Sequence, residues 1–186
     1  MIVIGITGSI ASGKSTAAQL IAKKKFPLFS ADKVVLNLYK NSKFTNILIK
    51  KFNLNNKEKI KPQIKSIIKK NKNSLRTLEL IVHPFVRKKM KAFLKKKAKI
   101  LILEIPLLIE SKLSQYFDEI IYIDTKKKLR LKRYLKRNND KQTFETLNRR
   151  QLPPNEKKKA CNHIINNNYS LTILKKNVKK IMENYE

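Results

Sequence analysis

Cys161 is the only cysteine in 186 residues. A lone thiol excludes an intrachain disulfide framework, supplies no zinc-ligand spacing and fits a reducing compartment; a chain of this length buries a sizeable core without such aids. Glycine is scarce, at three residues, and no Gly/Ser-rich or Pro-rich linker divides the chain. The longest apolar stretch, ILILEIPLLI, is too short to cross a bilayer and is interrupted by Glu104 and Pro106. The first residues carry neither a basic start nor a signal-cleavage pattern. Together these absences predict a single domain over 1–186, soluble, cytoplasmic and without a membrane partner. No internal repeat is evident.

Negative charge is scarce too, with 13 Asp and Glu against 44 Lys and Arg, for a net charge of +31. Such an excess attracts phosphate backbones in a salt-dependent way and raises a nucleic-acid reading. The distribution argues against it. Lysine triplets recur at 23–25, 95–97, 126–128 and 157–159 rather than forming one stripe interleaved with stacking aromatics. Lys, Asn and Ile rise together, as A/T-rich codons acting on permissive surface positions would produce. Incidental binding at low salt is expected, and a specific nucleic-acid partner is not.

Against this background GSIASGKST, residues 8–16, carries a definite signal. Gly8, four residues, then Gly13, Lys14 and Ser15 fit the phosphate-loop pattern GxxxxGK[ST] without a mismatch. Ile2, Val3, Ile4 and Ile6 before it form the near-continuous apolar run of a buried parallel strand. After it, Ala17, Leu20, Ile21 and Phe26 recur at roughly helical spacing. Strand, loop and helix are the required order. The glycines let the chain curl around phosphates at the helix mouth, where unpaired amides and the helix dipole favour anions. Lys14 reaches the outer phosphates in such a loop, the Ser15 hydroxyl ligates the bridging Mg2+, and Thr16 lies beside them.

Further strands are expected at FPLF (26–29), ILILE (100–104), EIIYID (119–124) and, more weakly, HIIN (163–166). Residues 33–97 read as a helical insertion, 126–137 as a very basic helix, and the polar stretch 138–143 as a loop within a region of about 126–155. The alternation predicts an α/β fold of three layers around a mainly parallel five-stranded sheet. Gly8, Asp32, Pro106, Asp124 and Asn167 then fall at the carboxyl ends of strands, where open α/β sheets collect ligands. Asp32 is placed either to orient or deprotonate an attacking hydroxyl, or to cap a helix. Arg130, Arg133 and Arg137 share one helix face and form a candidate phosphate grip.

The ordered set TGSIASGKST, FSAD, LELIVHPFVR, LEIPLLIES and the run from FDEIIYID through RLKRYLKR to IINN resembles the dephospho-CoA kinase family along almost the whole chain. The resemblance implies a P-loop NTPase fold with a helical substrate-binding insertion and a small mobile lid. It implies transfer of the ATP γ-phosphate, with Mg2+, to the ribose 3′-hydroxyl of dephospho-CoA. By position it implies ATP binding at Gly8, Ala11, Ser12, Gly13, Lys14, Ser15 and Thr16, with Arg133 and Asn167 on the same side. Asp32 matches the family aspartate that acts on the acceptor hydroxyl, Arg137 the lid arginine, and His83, Arg87 and Glu110 substrate-side positions; the structural alternative for His83, before Pro84, is to organise a helix start. Lys14, Asp32 and Arg137 are the implied catalytic set and Ser15 the metal ligand. The expected partners are ATP and dephospho-CoA, and the expected state is a monomer. The alternatives are another small-molecule or nucleoside monophosphate kinase, or a nucleic-acid-binding ATPase. Ser9 and Ala11 stand where the family has glycine, Arg130 where glutamine is common and Asn162 where aspartate is common. The substrate region also looks trimmed. Altered backbone freedom in the loop is expected, without loss of binding.

Overall fold

Apolar runs unbroken by polar alternation form strands only where both sheet faces are covered, and all the main strands here are of that kind. The computed structural model describes residues 1–23, 25–138 and 140–185. In chain order the elements are β1 (Ile2–Gly8), α1 (Lys14–Ala22), β2 (Leu28–Ser30), α2 (Ala31–Leu38), α3 (Ser42–Phe52), α4 (Ile60–Lys70), α5 (Lys72–Leu94) and β3 (Ile100–Glu104). There follow β4 (Glu119–Asp124), α6 (Lys127–Asn138), α7 (Lys141–Arg149), α8 (Pro154–Lys159), β5 (His163–Asn166) and α9 (Leu171–Met182). The sheet order is β2-β3-β1-β4-β5, and every pairing is parallel. This is the expected three-layer α/β architecture.

The chain forms two compact units, Met1–Ser30 with Lys97–Glu186, and Ala31–Lys96. In the first, Ile4 and Ile6 of β1, Ile100 and Ile102 of β3, and Ile121 and Ile123 of β4 turn one sheet face toward Ala17, Ala18 and Ile21 of α1. Leu174, Val178 and Met182 of α9 complete this layer. The opposite face receives Gly5, whose missing side chain makes room for Leu108 and Phe117. Register sets the functional edge, since Ile6 lies beside Glu104, Gly8 beside Ile123, and Asp124 beside Asn166.

The second unit has its own core of Leu38, Phe44, Leu48, Leu54, Ile64 and Val82. Phe44 meets Tyr39 and Phe85 edge to face, at 5.5 and 5.4 Å between centroids. Asn41 caps α3 by accepting from the Phe44 amide, and Asn71 caps α5 in the same way through Asn73.

Two local expectations change. Of the expected 138–143 loop, 138 ends α6 and 141–143 begin α7, which Asp140 caps by accepting from the Thr143 amide, while residue 139 lies outside the described residues. Pro84 does not mark a helix start after His83, for it lies inside α5. Among the described residues, no helix is long and apolar enough to cross a membrane.

Gly5 provides a direct check on the packing. A Cβ there would lie 2.7 Å from Leu108 Cδ1 and 2.8 Å from Phe117 Cδ1. Gly5→Val, although favourable by strand propensity, is expected to destabilise the protein by about 1–3 kcal/mol through overpacking. Thermal denaturation would show this as a fall in Tm of several degrees; an unchanged or higher Tm would mean the face is looser than described.

Candidate active site

The loop between β1 and α1 delivers an open helix terminus to the carboxyl edge of the sheet. Gly13, at φ 93°, is the N-cap of α1 and makes no side-chain cap hydrogen bond. The amides of the first helical turn have no intrahelical acceptors by construction, and Gly13 brings no capping side chain to them. Such a terminus suits an anion, aided by the positive end of the helix dipole. Lys14 is buried, and its Nζ donates to the Ser9 carbonyl at 3.0 Å, which holds the ammonium against the loop.

Side chains from beyond the loop fix it. The Ser12 carbonyl accepts from Asn167 Nδ2 at 2.7 Å, Thr125 Oγ1 at 2.9 Å and Arg133 Nη1 at 3.4 Å. Arg133 Nη2 also donates to the Asn167 carbonyl at 3.0 Å. The Ser9 hydroxyl and the Tyr122 hydroxyl are hydrogen-bonded at 3.0 Å, so the side chain that replaces a family glycine is satisfied. Burial raises the Tyr122 pKa, and the Ser9 hydrogen bond opposes that rise. Ala11, the other replacement, has φ 58°, a left-handed conformation that disfavours a Cβ by about 1–2 kcal/mol.

The three arginines do not act alike. Arg130 is buried, and its Nε donates to the Thr125 carbonyl at 3.1 Å. Its Nη1 donates to Asn148 Oδ1 at 2.8 Å and to the Ile10 carbonyl at 3.3 Å, while the guanidinium lies over the Phe144 ring. Burial lowers the Arg130 pKa, against the opposing charges of Tyr122, Asp124 and Glu145. Arg133, half-buried, is lowered by burial and then by Arg137. Arg137 stands exposed one turn further along α6. Of the expected three-arginine grip, Arg130 is the buried member, with Nε and Nη1 on protein acceptors, and Arg137 is the exposed one.

Glu104 escaped the sequence reading, which took it only as a break in an apolar run. It is buried at the end of β3, and its Oε1 accepts from the Ser15 hydroxyl at 2.5 Å. A carboxylate ending an otherwise apolar strand was the available signal, because buried acids require a partner.

A model of the dephospho-CoA kinase family matches residues 2–172. The chain belongs to the dephospho-CoA kinase family. It is 33% identical to the dephospho-CoA kinase of Bartonella quintana, over 99% of this chain and 98% of that one. Its structure is similar to that of dephospho-CoA kinase from Campylobacter jejuni, with 29% identity, TM-score 0.68 and coverage of 97% and 95%. A Thermus thermophilus protein is also similar, at 26% identity and TM-score 0.81, covering 100% of this chain and 98% of that one.

Other family positions fall in different surroundings. Glu110 pairs with Lys157, whose Nζ lies 2.8 Å from Glu110 Oε1 and 3.2 Å from the Pro106 carbonyl. Lys157 is completely buried, so this pair ties the segment after β3 to α8. Asn162 accepts from the Ile120 amide at the amino end of β5, the end of the sheet opposite the phosphate loop. In the 31–96 unit, Asp32 occupies the first turn of α2, while His83 and Arg87 lie one turn apart on α5, which packs against α2.

Two outcomes follow from this geometry. A Cβ on Gly13 would lie 2.3 Å from Asn167 Nδ2, in a left-handed backbone. Gly13→Ala is thus expected to weaken ATP binding by roughly tenfold or more, measured by calorimetry; unchanged affinity would contradict the loop described. Cys161 Sγ donates to the Lys157 carbonyl, and burial raises its pKa to about 11 from 9.0. At pH 8 the native thiol should alkylate roughly 100-fold more slowly than an ordinary thiol and react fully on unfolding. Rapid native alkylation would place Cys161 elsewhere.

Proposed function

We propose that this member of the family transfers the γ-phosphate of ATP to the ribose 3′-hydroxyl of dephospho-CoA, completing coenzyme A. The observation that carries the reading is the uncapped amino terminus of α1, with the Lys14 ammonium held against its loop, in a chain matched to the family over residues 2–172. That site binds polyphosphate by backbone amides and a buried cation, which is the donor half of a phosphoryl transfer.

Mg2+ fits the donor set. Ser15 and Glu104 supply a hydroxyl and a carboxylate within hydrogen-bonding distance, and hard oxygen ligands are what this cation takes. Among the described residues no cluster of three or more His, Cys, Asp or Glu is present. A cation held mainly by phosphates and water needs none. When bound, the ion neutralises charge on the phosphate oxygens.

The chain's own residues then divide the work. Gly8 and Ala11 to Thr16 bind the phosphates, with Arg133 and Asn167 beside them at Ser12. Asp32 orients or deprotonates the acceptor hydroxyl, and Arg137 neutralises charge growing on the transferred group as α6 and its neighbours close. Closure matters because water is a competing acceptor. His83 and Arg87 serve the acceptor from α5. Glu110 serves it indirectly, by holding the 106–113 segment in place through Lys157.

The test is ADP release from Mg·ATP with dephospho-CoA, run beside AMP, adenosine and RNA as acceptors or activators. Turnover is expected with dephospho-CoA alone. Turnover with AMP instead would make this a different small-molecule kinase, and RNA-stimulated hydrolysis at physiological salt would favour the nucleic-acid reading. Within the same assay, Lys14→Ala should abolish transfer while the protein remains folded. Asp32→Asn should lower kcat about 10²–10⁴-fold with little change in ATP affinity. An unchanged kcat would leave Asp32 as a helix-terminal residue only.

A further inference from the structure

Three peptide groups of the phosphate loop, those at Ser9–Ile10, Ile10–Ala11 and Ser12–Gly13, are met by side chains from outside the loop. The Ser9 carbonyl faces Lys14 Nζ at 3.0 Å, and the Ile10 amide of the same peptide faces the other way, to Gln151 Oε1 at 2.8 Å. The next peptide is reversed. Its Ile10 carbonyl turns toward Arg130 Nη1, so its Ala11 amide, antiparallel in a trans peptide, turns away from α6. The pattern repeats at Ser12, whose carbonyl meets Asn167, Thr125 and Arg133, leaving the Gly13 amide turned away from them.

The two peptides held in this way immediately precede the two residues of the loop with left-handed backbone, Ala11 at φ 58° and Gly13 at φ 93°. Gly13 adopts that conformation without strain and Ala11 does not. Peptide orientation sets φ of the following residue, so whatever grips the Ile10 carbonyl also holds Ala11 in its unfavourable state. The Arg130 guanidinium meets that carbonyl through Nη1. Arg130 is 4% exposed, and its place is fixed independently by Thr125, Asn148 and Phe144. At 3.3 Å this is the longest of the Arg130 hydrogen bonds, and its direction comes from a desolvated guanidinium that its shorter bonds to Thr125 and Asn148 hold in place.

We propose that Arg130 is a positioning residue: it holds the Ile10–Ala11 peptide so that the Ala11 amide is presented to the nucleotide phosphates. It touches no reacting atom and acts through Ala11. Arg130 thereby compensates for an alanine where the loop favours glycine. The inference rests on the ATP reading of the loop, and the experiment separates the two.

Arg130→Gln is expected to raise the Kd and KM for ATP about tenfold, in line with loss of a hydrogen bond to a charged group, with kcat and the KM for dephospho-CoA within about twofold. The deciding variant is Arg130→Gln with Ala11→Gly. Glycine takes the left-handed state unaided, so the double variant should recover most of the lost ATP affinity. A residue that only staples α6 to α7 would not be rescued by a glycine in the loop. If Arg130→Gln does not fold, Arg130→Lys carries the same test, because an ammonium cannot reach Ile10, Asn148 and Thr125 together. Equal ATP affinity in wild type and variants, or a loss that Ala11→Gly does not relieve, overturns the proposal and leaves the ATP reading intact. Failure of the wild type to bind ATP would overturn the ATP reading itself.

Discussion

The nucleotide end of this protein depends on one backbone constraint: Gly13 must be left-handed so that α1 begins without a cap at the carboxyl edge of the sheet. An uncapped terminus is costly unless something else meets its amides, and an anion is the natural partner. The fold around it serves this constraint. Parallel pairing of β3, β1, β4 and β5 aligns four strand ends, and the residues just beyond β4 and β5, Thr125 and Asn167, hold the loop by its Ser12 carbonyl. The loop is therefore shaped from outside before any ligand arrives, which limits the ordering entropy that binding must overcome.

Charge in this chain has two distinct forms. Most of the lysines are exposed, and the net +31 is spread over nearly every segment. A few cations are buried, and each has defined partners: Lys14 on Ser9, Lys157 on Glu110 and Pro106, Arg130 on Thr125, Asn148 and Ile10. Burying a cation is costly unless hydrogen bonds replace its water, so these few carry more structural information than all the exposed ones. Lys157 and Arg130 bind segments that precede or follow strands, and both act on the edge where the loop lies.

Much of this was legible from sequence because the signals were local. Apolar runs over 2–6, 100–104, 119–124 and 163–166 form the strands, since burial on both faces demands such runs. The phosphate-loop spacing located the uncapped helix. The second strand lies slightly later than FPLF, at Leu28–Ser30, where Pro27 contributes only a carbonyl, to the Ile102 amide. Glu104 was missed because a single acid in an apolar run reads as an interruption until its partner, Ser15, is seen 89 residues away in sequence. The different surroundings of the arginines were hidden for a related reason. Helical spacing places 130, 133 and 137 on one face, but only tertiary packing shows that the face runs from buried at Arg130 to exposed at Arg137. The alanine at position 11 was visible as a departure, while its left-handed backbone and the guanidinium on the preceding carbonyl were not.

The account's central claim is a specific transfer, so the most direct measurement is the position of the new phosphate. Phosphorus NMR and mass spectrometry of the product from Mg·ATP and dephospho-CoA should show one added phosphoryl group on the ribose 3′-oxygen. A phosphate on any other oxygen, or ADP accumulating while dephospho-CoA stays unmodified, would contradict it.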